Sequence, residues 1–456
     1  MLETHLSIVA YDDTERGENN MSFNDNIPKL QPFKRSVSII GVGATPFVRV
    51  MDDPECDGLT EGELFGYAAR DAMKDAGVSG KDIDFFIHGQ AGPGWISNFG
   101  TANIHVANWL GMKGKGSMHQ SEACATGYVA LETAVSYVAS GMYDVVLSGC
   151  IDMPYSIAHP TRVLTKRRFG TDSMFHEVLC STVTRDYNLF TRGVLPFSSE
   201  SWLDHYYKEN NVSPEDIDKT MTNMAINCRR AAALNPLGLF DDNFEDLAHK
   251  YGMETAEEYL HSKYNPLIGK YMRACHFEQR CDGAAAVIVC PTEMAHKYTD
   301  HWVEVLGIGH SCVEYNTPEL ERIATRNAYQ QVRDLTGLTG ADMDLFLTND
   351  FFMQSEMLAA EQCEYLPKGQ GWKYMLEGRA AFDGDRPVQP HGGRCQYGHA
   401  SSASGLHDLY EAVLQMRGER GTTQVKNKID YTMIRGFGGG QNVLVTMLKN
   451  SGKGGN

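Results

Sequence analysis

Two copies of one stretch decide the fold of this chain: Asp75-Ala-Gly-Val-Ser-Gly-Lys-Asp-Ile-Asp-Phe-Phe-Ile-His-Gly89 and Leu335-Thr-Gly-Leu-Thr-Gly-Ala-Asp-Met-Asp-Leu-Phe-Leu-Thr-Asn349. Both copies have the pattern of a helix end, a glycine-capped turn, an Asp-x-Asp motif and a buried strand, and their matching residues lie 260 positions apart. A repeat at a constant offset indicates that one structural unit occurs twice. The sequence therefore predicts two similar α/β units.

The two copies continue along the chain in the same way. Each is followed by a small-residue turn that enters an amphipathic helix, at residues 123–141 and 398–417, and each half ends on a Gly-led apolar strand, at 282–290 and 438–447. Helices that alternate with buried strands favour layered α/β units. Two such units related by a pseudo-twofold axis bring equivalent turns together at their interface, where a ligand cleft is expected.

We predict four segments from this pattern. Residues 1–35 are polar and lack periodicity, so they are expected to form an N-terminal extension. The N-terminal half spans residues 36–155 and 276–295, and the C-terminal half spans 296–456. Residues 156–275 break the rhythm with Pro, aromatic and basic residues, which indicates an inserted loop region that covers the junction and the substrate.

Composition and charge exclude several classes of protein. The chain has 456 residues, 42% of them apolar, and no stretch approaches the roughly 18 apolar residues of a membrane-spanning helix. The formal net charge of −17 disfavours binding to nucleic acid or to an anionic membrane surface. The 11 cysteines contain no C-x-x-C pair, which predicts reduced thiols in a cytoplasmic protein and no metal site.

The first candidate for chemistry is Cys124, in Ser121-Glu-Ala-Cys-Ala-Thr-Gly127 at the predicted start of a helix. The helix dipole and the free N–H groups of the first turn favour a thiolate, so we expect the pKa of Cys124 to be lowered. A buried cysteine that packs beneath the helix is the alternative, and it is the better interpretation for an isolated cysteine. Partner residues on other turns decide between the two.

Two such partners come from the C-terminal half. His399, in Gly393-Arg-Cys-Gln-Tyr-Gly-His-Ala-Ser-Ser-Ala-Ser-Gly405, occupies the turn equivalent to that of Cys124, and a cysteine and a histidine fit the roles of nucleophile and base. Asn349 adds a polar group at the end of the repeated strand. A solvated loop histidine and a helix-capping asparagine are the alternatives.

These blocks resemble the thiolase superfamily over residues 36–448, specifically the branch that includes the thiolase domain of sterol carrier protein X and archaeal thiolases. Glu122-Ala-Cys-Ala-Thr-Gly127 is similar to the nucleophile segment of the family. Asn349-Asp-Phe-Phe352 resembles the block written Asn-Glu-Ala-Phe or His-Asp-Cys-Phe in relatives, and Gly398-His-Ala400 resembles Gly-His-Pro. Residues 199–236 look like the inserted helical region of the family.

The resemblance implies an α/β architecture, namely the duplicated five-layered αβαβα thiolase fold with an inserted loop domain. It also implies acyl transfer in which Cys124 attacks the 3-oxo carbonyl of a 3-oxoacyl-CoA and the acyl group then passes to CoA, or the reverse. His399 would take the thiol proton and, with a water held by Asn349, form one oxyanion hole, while the backbone N–H groups of Cys124 and Gly438 form the other. Coenzyme A is then a co-substrate, and no permanently bound cofactor is expected.

One departure from the family pattern concerns the acid/base. Relatives carry a second cysteine in Cys-x-Gly, whereas this chain reads Gly436-Phe-Gly438. Claisen chemistry needs a proton donor and acceptor near the α-carbon, so another group fills this role or the role is lost. The candidates are Cys395, Tyr397 and His391 on the neighbouring loop, together with His88 and His119.

The resemblance also implies partners and a substrate class. Relatives with similar departures work with a small zinc-ribbon/OB-fold protein, so we expect such a subunit beside a homodimer formed through the nucleophile-bearing half. Aromatic and Met side chains favour a bulky or aryl substrate such as benzoylsuccinyl-CoA; they are Trp95, Phe351, Phe352, Met353 and Phe437. The candidates for contact with the CoA phosphates are the basic runs Lys166-Arg167-Arg168 and Arg229-Arg230, with a solvated surface run as the alternative.

Two other functions stay open from the sequence. A thiolase-like retro-aldolase cleaves a 3-hydroxyacyl-CoA without a nucleophilic thiol; Cys124 speaks against it, and the missing second cysteine leaves it open. A non-catalytic acyl-CoA-binding subunit would need neither Cys124 nor His399.

Overall fold

The computed structural model describes residues 27–56, 58–91, 102–158, 195–312, 318–438 and 442–452. The strands in these residues are β1 (Val37–Ala44), β2 (Phe85–Gly89), β3 (Gly116–Gln120), β4 (Val146–Asp152), β5 (Gly283–Pro291), β6 (Val303–Cys312), β7 (Leu345–Thr348), β8 (Tyr431–Gly438) and β9 (Asn442–Asn450). They form one mixed sheet in the order β3-β2-β4-β5-β1-β6-β9-β8-β7. The sheet consists of two half-sheets, which join where β1 pairs antiparallel with β6 over three residues.

The helices of the described residues alternate with these strands. They are α1 (Glu61–Asp75), α2 (Ala102–Trp109), α3 (Thr126–Ala139), α4 (Pro154–Ala158), α5 (Leu195–Glu209), α6 (Pro214–Ala233), α7 (Phe244–Lys250), α8 (Ala256–Leu260), α9 (Thr292–Ala295), α10 (Pro318–Thr336), α11 (Gln354–Gln362), α12 (Gly371–Leu376) and α13 (Ser402–Arg417). Their starts follow local signals. Thr60, for example, accepts a hydrogen bond from Glu63 N–H and donates its own N–H to the Glu63 carboxylate, which caps α1.

Three buried clusters separate five layers of structure. One cluster lies between α1 and the outer face of the N-terminal half-sheet, and it includes Phe86. The central cluster contains α3, α13 and the inner faces of both half-sheets, with Phe85 and Ile87 among its members. The third lies between α10, α11 and the outer face of the C-terminal half-sheet, and it includes Phe346. Successive strand residues thus serve opposite layers, and the predicted five-layered αβαβα thiolase fold is confirmed.

The repeated Asp-x-Asp motif makes the same hydrogen bonds in both halves. The Asp84 carboxylate accepts from Val145 N–H at 2.9 Å, just before β4. The Asp344 carboxylate accepts from Tyr431 N–H at 3.0 Å, at the start of β8. Each aspartate therefore ties the turn before its own strand to the neighbouring strand, which explains why the motif occurs twice.

The helices α3 and α13 cross at a pair of glycines. A Cβ atom on Gly127 would lie 2.6 Å from the carbonyl oxygen of Ser402, and a Cβ atom on Gly405 would lie 3.1 Å from Gly127 Cα. Only glycine allows two backbones to approach this closely. The crossing brings the first turns of the two helices together, one from each half of the molecule.

The segment boundaries stay a prediction. The described parts of the inserted region are residues 156–158 and 195–275. They include α5 to α8, and each of these helices places at least one apolar side chain in the cluster on the outer face of the C-terminal half-sheet; examples are Trp202, Met221, Phe244 and Leu260. Among the helices of the described ranges, none has both the length and the apolar character that crossing a membrane requires. The same ranges contain no group of three or more His, Cys, Asp or Glu side chains placed to hold a metal ion.

Candidate active site

The structure brings Cys124 and His399 together, although 275 residues separate them along the chain. Cys124 lies just before α3, and His399 lies just before α13, on turns that occupy equivalent places in the two halves. The Cys124 Sγ atom is 3.3 Å from His399 Nε2, which is within reach of an S–H···N hydrogen bond. The crossing of the two helices at Gly127 and Gly405 is what places these two turns side by side.

The turn that carries Cys124 is fixed by its own hydrogen bonds. The Thr126 hydroxyl accepts from Glu122 N–H at 2.7 Å and donates to the Ala123 carbonyl at 2.6 Å. Ala123 has a φ of 48°, a left-handed conformation that costs a non-glycine residue about 1–3 kcal/mol. The two hydrogen bonds of Thr126 hold the backbone in this strained conformation. In that conformation the Cys124 thiol lies next to the C-terminal half.

Ser404 sets the orientation of the His399 ring. Its hydroxyl oxygen lies 3.1 Å from His399 Nδ1 and accepts a hydrogen bond from Ala400 N–H at 3.0 Å. A tautomer with the proton on Nδ1 donates to Ser404 and leaves Nε2 free to accept from the Cys124 thiol. This is the arrangement that a base needs toward a nucleophile.

Burial shifts the pKa values of both members of the pair toward the neutral forms. Burial raises the pKa of Cys124 to about 12, and the charges of Glu278 and Asp152 act in the same direction. Burial lowers the pKa of His399 well below its ordinary value, and the charge of Arg394 adds to this effect. The expectation of a lowered pKa for Cys124 is therefore wrong, because burial of the thiol outweighs the helix dipole. The two shifts favour a thiol beside a neutral imidazole over a thiolate–imidazolium pair.

We expect this neutral pair to make Cys124 slow toward alkylation. With a thiol pKa of about 12, little thiolate exists at neutral pH, so the rate of reaction with iodoacetamide should rise steadily from pH 7 to pH 10. Peptide mass spectrometry measures this rate, with the exposed Cys312 as an internal reference. If Cys124 reacted faster than Cys312 at pH 7 and its rate reached a plateau below pH 8, a preformed thiolate would be present and the neutral pair would be excluded.

Asn349 follows β7 and offers an unpartnered oxygen. Its Nδ2 donates to the carbonyl of Phe437 at 2.6 Å. Its Oδ1 is buried and has no hydrogen-bond partner among the described residues. A buried carbonyl oxygen in this condition is a natural acceptor for an ordered water. The geometry therefore agrees with the water-holding role that the resemblance implies.

Gly438, at the end of β8, lies directly against the nucleophile turn. A Cβ atom at this position would be 2.6 Å from the backbone nitrogen of Ala125 and 3.0 Å from the carbonyl oxygen of Glu122. Only a glycine fits here. The backbone of the second half thus reaches the residue next to Cys124, where a second N–H donor is expected.

The three loop candidates for the missing acid/base have side-chain partners other than the nucleophile and its base. The Cys395 thiol donates to the backbone carbonyl of Asp350 at 3.1 Å. The Tyr397 hydroxyl pairs with the ring of His407 at 2.7 Å, and His391 packs beside Tyr397 with ring centroids 5.1 Å apart. All three are buried in the interior behind the site. None of their described hydrogen bonds reaches Cys124 or His399.

The other sequence candidates fall in different places. His88 and His119 stack on each other with centroids 5.5 Å apart, and burial lowers the pKa of His88 to about 3. Arg229 is 5% exposed and donates to Asp242, so it is not part of a basic surface run. Outside the described residues lie Trp95, Lys166, Arg167 and Arg168.

Comparison with known proteins points to one family. A family model described as thiolase C-terminal domain-like matches residues 310–450. An acetyl-CoA acetyltransferase of Methanothermobacter thermautotrophicus is 28% identical over 409 residues, which cover 89% of this chain and 97% of the relative. The chain is therefore similar to thiolases over most of its length. Another relative, the benzoylsuccinyl-CoA thiolase subunit BbsB of Thauera aromatica, is 27% identical over 89% of this chain and 96% of its own length.

Two solved structures, an aldolase and a thiolase, have the same fold as this chain. The Ltp2-ChsH2(DUF35) aldolase matches with a TM-score of 0.67 at 19% identity, covering 92% of this chain and 99% of its own. Human mitochondrial 3-ketoacyl-CoA thiolase matches with a TM-score of 0.62 at 18% identity, covering 92% and 100%. The relatives named as an acetyltransferase and a thiolase subunit confirm the prediction of an acyltransferase enzyme.

Sequence reasoning missed two buried charged features of this chain. Glu278 is buried close enough to Cys124 for its charge to raise the pKa of the thiol. Arg394 donates to both oxygens of Asp408, at 2.8 and 2.5 Å, and to the Tyr128 hydroxyl and the Ser404 carbonyl, each at 3.0 Å. No local signal marked the second feature, because Asp408 shares one side of α13 with Ser404, Glu411 and Gln415. That polar side resembles a solvated helix face, although all four residues are buried.

Proposed function

We propose that this chain is a member of the thiolase superfamily that transfers acyl groups between CoA thioesters through a thioester on Cys124. The observation that carries the proposal is the 3.3 Å contact between Cys124 Sγ and His399 Nε2. A base within hydrogen-bond reach of a nucleophile, oriented by a third group, is the arrangement that nucleophilic catalysis needs. Ser404 is that third group.

Each residue of the site has a role in the proposed thiolysis reaction. Cys124 Sγ attacks C3 of a 3-oxoacyl-CoA while its proton passes to His399 Nε2. The negative C3 oxygen takes hydrogen bonds from the backbone N–H groups of Cys124 and Gly438, or from a water held by Asn349. The C2–C3 bond then breaks, the acyl group stays on sulfur, and C2 of the second acyl-CoA takes the electron pair and a proton from an acid/base group. The thiol of CoA finally attacks the thioester and returns a proton to that group, while His399 returns its proton to the departing Cys124 sulfur.

Aromatic side chains beside the pair support a bulky or aryl acyl group. The Phe351 ring packs edge-on against the His399 ring with centroids 5.7 Å apart. Phe437 is half-buried, and its backbone carbonyl accepts a hydrogen bond from Asn349. The relative from Thauera aromatica is named for an aryl substrate, benzoylsuccinyl-CoA. We therefore include aryl 3-oxoacyl-CoA thioesters, benzoylsuccinyl-CoA among them, in the proposal.

The proposed function predicts an acyl adduct on one peptide. We expect brief incubation with acetyl-CoA, an aliphatic 3-oxoacyl-CoA or an aryl 3-oxoacyl-CoA, with CoA withheld, to leave the acyl group on the peptide that contains Cys124. The aryl thioester should give the greatest occupancy. Intact and peptide mass spectrometry measure the adduct and its mass. A folded protein, tested with and without a candidate partner subunit, that takes no acyl group from any of the three thioesters would rule the function out.

We further propose a homodimer and a small partner subunit. Strand β3 lies at the edge of the sheet, and an open strand edge favours pairing with a second copy. Beside it, α2 exposes Ile104 and Trp109, whose relative exposures are 57% and 62%. Both elements belong to the nucleophile-bearing half. The aldolase that matches this fold is a complex with a DUF35 protein, which supports a zinc-ribbon/OB-fold partner for this chain.

A retro-aldolase is the second candidate function. The specific observation that favours it is the stretch Gly436-Phe-Gly438, which supplies no second thiol to a carbanion. The aldolase among the matching structures has the same fold. Retro-aldol cleavage needs no covalent bond to Cys124, so removal of this thiol separates the two functions.

A further inference from the structure

Glu278 is a buried carboxyl group on a short extended segment beside the catalytic pair. Its side chain is 8% exposed. One oxygen, Oε1, accepts a hydrogen bond from Arg280 Nε at 3.0 Å. The other, Oε2, is buried and has no hydrogen-bond partner among the described residues. A buried carboxylate oxygen without a partner is costly, so it is expected where a ligand or a reaction uses it.

The backbone of this segment lies between two elements of the site. Arg280 pairs with His399 in a parallel bridge, and the His399 N–H donates to the Gln279 carbonyl at 2.8 Å. On the other side, the Glu278 N–H donates to the Phe351 carbonyl at 3.1 Å. Glu278 and Arg280 are two residues apart on extended backbone, so their side chains leave on the same face.

Glu278 and Arg280 lie within electrostatic range of the reacting groups. The charges of Glu278 and Arg280 both act on the pKa of Cys124, in opposite directions, after the larger effect of burial. Arg280 also acts on the pKa of His399. Burial raises the pKa of Glu278 itself, with Arg280 opposing the rise. A raised pKa makes a carboxyl group a better candidate to hold and release a proton.

We infer that Glu278 is the acid/base that acts on C2 of the substrate, in the place of the second cysteine of other thiolases. This inference rests on the proposed function. In cleavage, the Glu278 carboxyl O–H gives its proton to C2 as the C2–C3 bond breaks, which releases a neutral acyl-CoA and leaves a carboxylate. When CoA attacks the acyl-Cys124 thioester, the S–H proton of CoA passes to that carboxylate. Glu278 is then restored, and the proton on His399 returns to Cys124.

The inference can be tested by two routes to one adduct. Acetyl-Cys124 forms from acetoacetyl-CoA by C–C cleavage, in which the carbanion at C2 has a strong demand for a proton. It also forms from acetyl-CoA by thioester exchange, in which Glu278 can protonate the leaving CoA sulfur but a thiolate leaves readily without that help. Benzoylacetyl-CoA and benzoyl-CoA form the matching aryl pair. In the Glu278→Gln variant we expect adduct formation from the 3-oxoacyl-CoA to slow by about 10²–10⁴-fold, and formation from the simple thioester to change by less than about tenfold.

Controls separate this role from a structural one. Glu278→Asp keeps a carboxyl group and should recover part of the cleavage route. Glu293→Gln makes the same change at an exposed carboxylate that pairs with Arg35, and the ratio of the two routes should stay near that of the unaltered protein. Equal slowing of both routes in Glu278→Gln, or no slowing of cleavage, would overturn the inference. Failure of the unaltered protein to form any adduct would overturn the proposed function itself.

Discussion

Replacement of Cys124 by serine is expected to lower thiolysis of a 3-oxoacyl-CoA by at least about 10³-fold. The serine hydroxyl retains a hydrogen bond to His399, but an alcohol is a much weaker nucleophile than a thiol. The pKa of His399 lies well below its ordinary value, so the imidazole is too weak a base to compensate. The variant should also lose the acyl adduct. Steady-state release of acyl-CoA and mass spectrometry of the peptide measure the two effects.

The same variant decides between the candidate functions. Cys312→Ser is the matched control, because it makes the same change at an exposed cysteine, and it should retain full activity. A Cys124→Ser protein that still cleaves a 3-hydroxyacyl-CoA by retro-aldol chemistry, while the unaltered protein shows no thiolysis, would favour the aldolase. Unchanged binding of acyl-CoA with no turnover in either protein would favour a non-catalytic subunit. Retained thiolysis would exclude Cys124 as the nucleophile.

Replacement of Arg394 by methionine is expected to cost about 3–5 kcal/mol in the free energy of unfolding. Arg394 and Asp408 are both fully buried, and removal of the cation leaves the carboxylate without a counter-charge. Arg394 also holds the Ser404 carbonyl, so the His399 ring should lose its fixed orientation and thiolysis should fall. Urea unfolding followed by circular dichroism measures the stability.

An exposed pair of the same residue types provides the control. Arg379 and Asp385 form a similar contact at the surface, where loss of an ion pair costs about 0–1 kcal/mol. Arg379→Met should therefore change stability little. The double variant Arg394→Met/Asp408→Leu should regain stability relative to Arg394→Met without regaining activity, because the buried charge is gone but Ser404 is still unsupported. An Arg394→Met protein as stable as Arg379→Met would contradict this account.

The duplication was predictable because its chemistry is local. Asp84 and Asp344 bond to N–H groups near the start of a neighbouring strand, and the Asp-x-Asp spacing that permits this can be read directly from the sequence. The pairing of Cys124 with His399 was predictable for the same reason, since equivalent turns of a duplicated unit meet at the pseudo-twofold axis. The positions of Cys124 and His399 in the repeat were enough to predict that they meet, without knowledge of their side-chain contacts.

Features that depend on burial were not predictable. The pKa of Cys124 depends on how completely the two halves exclude water from the thiol, and no local pattern contains that information. Glu278 stands in a polar stretch and looks like a surface residue, because its burial depends on the contact of Arg280 with His399. Arg229 looked like part of a basic run for the opposite reason: Asp242, which neutralises it, comes from a later loop.

The crossing of α3 and α13 at Gly127 and Gly405 has a consequence for folding. Since the nucleophile comes from one half and its base from the other, a chain with one folded half has most of its secondary structure but no reactive pair. Contacts so distant in sequence form late, after the local helices and turns. During refolding from denaturant, helix content should therefore return first, and the capacity to form a thioester should return only when the two halves dock.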